Sequence, residues 1–366
     1  MPTIIFKETE ACNANCIYCN VIRRKKPLTI SYDLLELVLS KVHDYLTTFP
    51  NERMSIIWHG GEPCIVGSQF YRKVLDYLKS HCRSTYERMD FSVQSNLTLI
   101  NQDLIDVFKE MGIDMIGTSY EPYKGIRGLG KNRDSKLYNE RFFKGIELLE
   151  KNNIYWGFIY VVTRQVLDKP LEVFNMLHNF SCCRGFNIHS VYSINHEDPD
   201  NVLISAKEFA DFLGQICPEW WTKRKVLNRV DPFDSYYEKY TKTNKGLVCN
   251  DSNCAYSHLY IGPSGELSHC GRSSEWDMFN TGNIKNISIA EAFNHPYRKT
   301  LLERDKVLMN GECKGCEYFP ICHGGCPLDG WNVNGNVQTK SEWCYSTKYF
   351  LQKYFEPITG LKFNNY

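Results

Sequence analysis

The sequence predicts an α/β protein built on a parallel sheet, and three observations carry that prediction. Short apolar runs recur at Ile4 to Phe6, Met54 to Trp58, Phe91 to Gln94, Asp114 to Ser119, Tyr155 to Val162 and Phe186 to Tyr192. Stretches of helical period separate them, and strands that alternate with amphipathic helices form parallel sheets. The chain of 366 residues exceeds the size at which one core is usual, so two domains are expected.

The helices follow in order. From Ser31 to Thr48, apolar Leu34, Val38, Val42 and Leu46 recur at a four-residue step, which makes one stripe. Gln69 to Ser80 is helical, and Gln102 to Met111 opens on Asn101, a capping residue. Phe142, Ile146 and Leu149 share one face of the next helix, and Leu171 to His178 forms another. Loops at the carboxyl ends of parallel strands gather on one face. The segment Cys12 to Cys19, Gly60-Gly61-Glu62-Pro63, Ser95-Asn96 and Ser119 all follow strand ends and should converge there.

Composition narrows the function classes. Hydrophobic residues make up 43% and aromatics 14%, which indicates an ordered globular chain. A net charge of +1, from 43 basic and 42 acidic residues, supplies no global field for nucleic acid or an anionic membrane. Arg23-Arg24-Lys25-Lys26 is the one basic cluster, read as a solvated loop. Met1 to Lys7 has no secretory pattern, and no apolar run approaches the roughly 18 residues of a membrane span, so a cytoplasmic location is expected. In a reducing compartment, 16 cysteines are metal candidates before they are disulfides.

Cys12, Cys16 and Cys19 fall at i, i+4 and i+7 on the loop after the first strand. Three thiolates can hold three irons of a 4Fe-4S cube and leave the fourth open, whereas a purely structural cluster takes four cysteines. Zinc is the competing reading, but its sites pair two knuckles and no second pair is near. The spacing, with Tyr18 inside it, resembles the signature of radical S-adenosylmethionine (SAM) enzymes. That resemblance implies a partial (β/α)6 barrel in which SAM chelates the open iron and is cleaved to a 5'-deoxyadenosyl radical. It also implies that Gly60, Gly61 and Glu62, with Ser95 and Asn96, cradle SAM, through exposed backbone N–H groups of the glycine loop. Ser119 would contact its ribose, and Arg133 and Arg141 would lie near its carboxylate.

A second cysteine field begins at Cys249 and includes Cys254, Cys270, Cys313, Cys316, Cys322, Cys326 and Cys344, with Gly265 between its parts. The pattern resembles the SPASM domain, which carries auxiliary clusters in radical SAM enzymes that modify peptides and proteins. That resemblance assigns Cys249, Cys254, Cys270 and Cys326 to one cluster and Cys313, Cys316, Cys322 and Cys344 to the other, three 4Fe-4S clusters in all. For the run Cys313 to Cys326 by itself, structural zinc is the alternative. The expected organisation is a barrel over 1–195, a bridging region over 196–245 packed with aromatics such as Trp220-Trp221 and Tyr236-Tyr237, the cluster domain over 246–345 and a helical tail over 346–366. Cys64, Cys82, Cys182, Cys183 and Cys217 receive no role.

Likeness to anaerobic sulfatase maturases extends to Gly145 to Leu149, Val161 to Thr163 and Gly282 to Ile284. Those enzymes follow the third cysteine of the auxiliary field with an Asp that takes a proton; here Cys270 precedes Gly271-Arg272, neither a base at neutral pH. The expected activity is therefore hydrogen abstraction from a ribosomally made peptide, followed by cross-linking or bond cleavage. A sulfatase-maturase-like side-chain oxidase, a small-molecule dehydrogenase and a cluster-bearing electron carrier are the alternatives. Tyr120 and Glu121 are the candidate bases. Expected partners are a peptide or protein substrate, an electron donor such as flavodoxin or ferredoxin, and a separate peptide-presenting protein or direct grip by the later regions, since Cys12 leaves no room for a preceding peptide-binding domain.

Overall fold

The computed structural model describes residues 1–19, 21, 25–121, 123–176, 181–192, 198–243 and 254–363. Two compact units emerge, one from Met1–Gly157 with Tyr256–Arg298, the other from Phe158–Ala255 with Lys299–Tyr366.

In the first unit, β1 (Thr3–Phe6), β2 (Met54–Trp58), β3 (Met89–Gln94) and β4 (Met115–Ser119) are parallel neighbours. Between them lie α1 (Tyr32–Thr48), α2 (Ser68–His81) and α3 (Gln102–Glu110), and α4 (Ser135–Lys151) follows β4. Helix starts are fixed by caps: the Leu34 amide donates to Ser31 Oγ, that of Leu104 to Asn101 Oδ1 and that of Leu137 to Asp134 Oδ1. Burial alternates along the strands. Ile4, Phe6, Ile56, Trp58, Phe91 and Val93 are buried, and Trp58 meets Phe70 and Tyr71 of α2 edge-on at 6.0 and 5.4 Å. Ile5, Ile57, Ser92 and Gln94 point the opposite way and stay partly exposed. This second side is the open face of the sheet.

The sheet also extends past the first strand, which sequence alone did not indicate. β8 (His258–Ile261) pairs in parallel with β1, and β9 (Glu266–Ser268) and β10 (Gly282–Asn283) follow antiparallel, giving β10-β9-β8-β1-β2-β3-β4 in this unit. Residues 256–298, expected with the cluster domain, thus fold against β1.

The second unit takes most of β5 (Tyr155–Val162), then α5 (Pro170–Met176), β6 (Cys183–Ser190), α6 (Ala206–Lys223) and β7 (Arg229–Asp231), which pairs in parallel with β6. His178, at the expected end of α5, lies outside the described residues, as do Arg23 and Arg24 of the basic run. Ser205 and Glu208 form a capping box on α6. Trp220 stacks with Phe233 at 5.3 Å and Phe355 at 5.9 Å, so the bridging aromatics build a core. The chain closes on consecutive helical segments Cys344–Phe350, Leu351–Phe355 and Glu356–Thr359. No described helix is long and apolar enough to cross a membrane.

Candidate functional site

The cysteine loop hangs from two backbone seams. On one side, amides of Gly61 and Glu62 donate to Thr9 O and Ala11 O, both at 2.8 Å. A Cβ on Gly60 would stand 2.6 Å from Thr9 O, and one on Gly61 2.5 Å from Ala11 O, so only glycine lets the stem of the loop come this close. This corrects the expectation of exposed amides awaiting a ligand: those of Gly61 and Glu62 are spent on the cysteine loop. On the other side, Asn15 N donates to Gly128 O, Ile17 N to Ile126 O and Gly130 N to Asn13 O, at 2.8, 3.0 and 2.9 Å.

Side chains lock both seams. Glu62 is buried and accepts from Cys64 N at 2.9 Å, Ser95 Oγ at 2.7 Å and Asn96 N at 2.7 Å. Burial raises its pKa, and these donors oppose the rise. Asn96 Nδ2 donates to Asn13 Oδ1 at 2.9 Å, and Asn13 Nδ2 to Thr98 Oγ1 at 2.8 Å. The predicted cradle residues Glu62, Ser95 and Asn96 therefore meet at the root of the cysteine loop. Ser119 is half-buried at the end of β4, where Gln94 Nε2 donates to its hydroxyl at 3.4 Å. Arg133 Nε donates to Asn15 O at 2.7 Å; Arg141 is exposed on α4.

Tyr18 and Glu121 belong to a cluster whose centre, Arg127, sequence reasoning missed. Tyr18 hydroxyl donates to Glu121 Oε2 at 2.7 Å, and Arg127 pairs with that same carboxylate, with the Tyr18 hydroxyl and, at 3.2 Å, with the Tyr138 hydroxyl. Glu121 and Arg127 are buried, so the carboxylate offered as a candidate base is instead one half of an ion pair anchoring the loop. Tyr120 stacks on Phe142 at 4.3 Å, and burial pushes its phenol up to about 12, which leaves it protonated at neutral pH.

Cys12 and Cys19 are exposed and Cys16 is half-buried. Although its surface is open, surrounding protein withdraws Cys12 from bulk water and pushes its thiol up to about 12; nearby Glu62, Cys16 and Cys19 push the same way. Three thiolates so close need a cationic centre among them, and a partly oxidised iron cluster supplies one, so the residues fit the group.

In the second unit burial pushes the Cys313 thiol up, and Cys344 and Cys316 add to it, which places three of the predicted ligands within one another's field. Arg304, buried on the helix Arg304–Asn310, donates to the carbonyls of His323, Gly324, Gly325, Val337 and Thr339. Its charge is felt by Cys326, Cys313 and Cys254, so it braces the loops that carry predicted ligands. Cys249 lies outside the described residues. The five unassigned cysteines are buried.

Comparison with known proteins defines the class. The radical SAM superfamily profile matches residues 8–177, and the chain is a radical SAM enzyme. The iron-sulfur cluster-binding SPASM profile matches 249–317, so it belongs with the radical SAM enzymes that bind a 4Fe-4S cluster, SAM and auxiliary clusters. It is 22% identical to the cysteine-type anaerobic sulfatase-maturating enzyme of Clostridium novyi, over 98% of this chain and 96% of that one. With the serine-type enzyme of Bacteroides thetaiotaomicron it shares 21% identity over 86% and 80%. The fold matches native anSMEcpe with bound AdoMet at TM-score 0.81, 20% identity and 98% of each chain. It matches Streptococcus suis SuiB bound to precursor peptide SuiA at 0.62, 14% identity, 92% of this chain and 74% of that one.

Proposed function

We propose that this enzyme modifies a ribosomally made peptide, removing a hydrogen atom from one residue and then forming a cross-link or breaking a bond. The observation that carries this reading is Gly271: the chain parallels the sulfatase maturases over nearly its whole length but has no side chain at the position that resemblance gives to their acid. Peptide-bound solved structures of the same fold, anSMEcpe with Kp18Cys peptide and SuiB with SuiA, support a peptide as the substrate.

Cys12, Cys16 and Cys19 would hold the SAM cluster, with Tyr18, Gly60, Gly61, Glu62, Ser95, Asn96, Ser119, Arg133 and Arg141 around SAM. Cys249, Cys254, Cys270 and Cys326 would hold one auxiliary cluster and Cys313, Cys316, Cys322 and Cys344 the other. When bound and reduced, SAM supplies the 5'-deoxyadenosyl radical that takes the hydrogen atom. The chain's own part is to fix the loop through Glu62 and Arg127 and to present the substrate to the open face. A flavodoxin or ferredoxin would supply the electron, and a cytoplasmic location would give access to one.

The test incubates anaerobically reconstituted enzyme with SAM, reductant and the short precursor encoded beside it. Deoxyadenosine together with a changed peptide mass is expected; absence of both defeats the reading. Side-chain oxidation as in the sulfatase maturases is the second reading, favoured by the relatives' coverage. Conversion of a sulfatase-derived Cys or Ser peptide, with the precursor left untouched, would select it.

A further inference from the structure

At the carboxyl ends of β1 and β2, two residues that sequence reasoning passed over stand side by side. Phe6 pairs with Trp58 across these strands and His59 N donates to Phe6 O at 2.8 Å, so Lys7 and His59 are the next lateral pair. Phe6 and Trp58 face the helices; the period of two therefore turns Lys7 and His59 onto the open face. His59 is exposed there, whereas Lys7 is 5% exposed because its ammonium pairs with Glu275.

Glu275 ends the short helix α7 (Gly271–Glu275), which Cys270 caps. A Cβ on Gly271 would lie 3.9 Å from Tyr260 Cδ2 and 4.0 Å from Ile5 Cγ2, so the start of this helix also lies against the open face. One helical turn after Gly271, Glu275 is carried to the same side. Four residues after the position of the missing acid, a carboxylate thus stands locked to Lys7, beside the His59 imidazole.

We propose that His59 is the catalytic proton acceptor for the substrate, with Lys7 and Glu275 as the residues that position it and set its basicity. This deepens the peptide-modifying reading above and rests on it. A residue oxidised by two electrons gives up a hydrogen atom, an electron and a proton. The first goes to the chemistry of bound SAM, the second to an oxidised auxiliary iron-sulfur cluster. The proton leaves a heteroatom, of a thiol, hydroxyl, phenol or amide, as the carbon–heteroatom bond forms, and His59 takes it. The substrate class is therefore a residue with such a hydrogen, and the product is two hydrogens lighter.

The electrostatics agree with this role. Although part of its surface is open, the surrounding protein withdraws His59 from bulk water and lowers its pKa from 6.5; its backbone hydrogen bond opposes the shift, Lys7 lowers it further and Glu275 raises it. The ring is thus neutral at pH 7 and able to accept a proton. Lys7, just past β1, and Glu275 from α7 are the charged groups facing it; its lateral neighbour on β3, Gln94, is neutral.

Two arms test the assignment on reconstituted holoenzyme. The first follows deuterium exchange at histidine C2 by mass spectrometry against pH, without substrate. His59 is expected to titrate below 6.5, to move up in Lys7→Gln, which removes a cation, and down in Glu275→Gln, which removes an anion. The second uses the neighbouring precursor peptide and measures product formed per deoxyadenosine released. His59→Gln is expected to lower that ratio about 100-fold, with iron content and circular dichroism matched to wild type. The acid limb of product formation, falling as the imidazole is protonated, should move in the same opposite directions in the two charge variants. Titration at or above 6.5, shifts of one sign, or a His59→Gln ratio within about threefold of wild type overturns the proposal. A wild type that cleaves SAM but leaves the precursor unchanged defeats the peptide reading instead, and the titration arm then still decides the His59 assignment.

Discussion

Replacing Arg127 by Leu removes the cation at the centre of the loop anchor and leaves Glu121 buried beside Tyr18. Both charged side chains are nearly out of solvent, at 7% and 0% exposure, so screening by water relieves little of the loss. Stranding one partner of a buried ion pair costs about 3 to 5 kcal/mol. In a unit of about 200 residues, each kcal/mol moves Tm by roughly 2 to 4 °C, so a fall near 10 °C is expected in anaerobic differential scanning fluorimetry. Glu121→Gln/Arg127→Leu should recover part of it, because the amide does not strand a charge; a coupling of at least about 1 kcal/mol is expected in the double-mutant cycle. Iron bound at the SAM site should fall as well, since Tyr18 loses a partner that holds the loop. A loss below about 1 kcal/mol, or additive single variants, would refute the anchor.

Three further outcomes are expected. Gly61→Ala should cost about 1 to 3 kcal/mol and lower iron per chain, because the new Cβ meets backbone oxygens at 2.5 and 2.6 Å; unchanged iron by colorimetric assay would count against the seam. Burial raises the Glu8 carboxyl from 4.5 to about 8, outweighing the hydrogen bonds that oppose it, so folding strength at this site is complete below 4.5 and is lost as pH rises toward 8. Glu8→Gln should therefore gain on wild type by a few kcal/mol across that window in denaturation measured against pH, and a parallel pair of curves would contradict it. Arg304→Met removes the donor to five carbonyl groups, two of them buried, and should reduce auxiliary iron in quantitative EPR, whereas retention of the full auxiliary signal would show that the loops stand without it.

Elements with strong local signals were legible in the sequence. The stripe in α1 and the cap at Asn101 appear where the pattern placed them, and Met54–Trp58 and Tyr155–Val162 match their apolar runs. The last strand of the six lies three residues earlier than its start was read, at Cys183–Ser190, because Cys183 is as buried as the apolar residues it precedes. β7 to β10 escaped because two to four residues carry too little periodicity to register. The cysteines announced themselves by spacing. Arg127 and Glu275 had no such signal, since each acts through a partner distant in sequence, Arg127 on Tyr18 and Glu275 on Lys7.

The same limit explains why glycines were read for the wrong neighbour. In a sequence, Gly60-Gly61 states only that something must come close; the visible candidate was a ligand. In the fold, the backbone of Thr9 to Ala11 occupies that space. The consequence is functional: Glu62, Ser95 and Asn96 hold the cysteine loop against β3, so a change in the cradle changes the thiol positions. With these residues cradling SAM as proposed, SAM binding and cluster binding would form one mechanical unit, whereas Lys7 pairs with Glu275 beside His59 on the open face. In the proposed mechanism substrate chemistry varies at those positions while the SAM cradle stays intact, so a glycine after Cys270 and a carboxylate one turn later would redirect the reaction without dismantling the radical source.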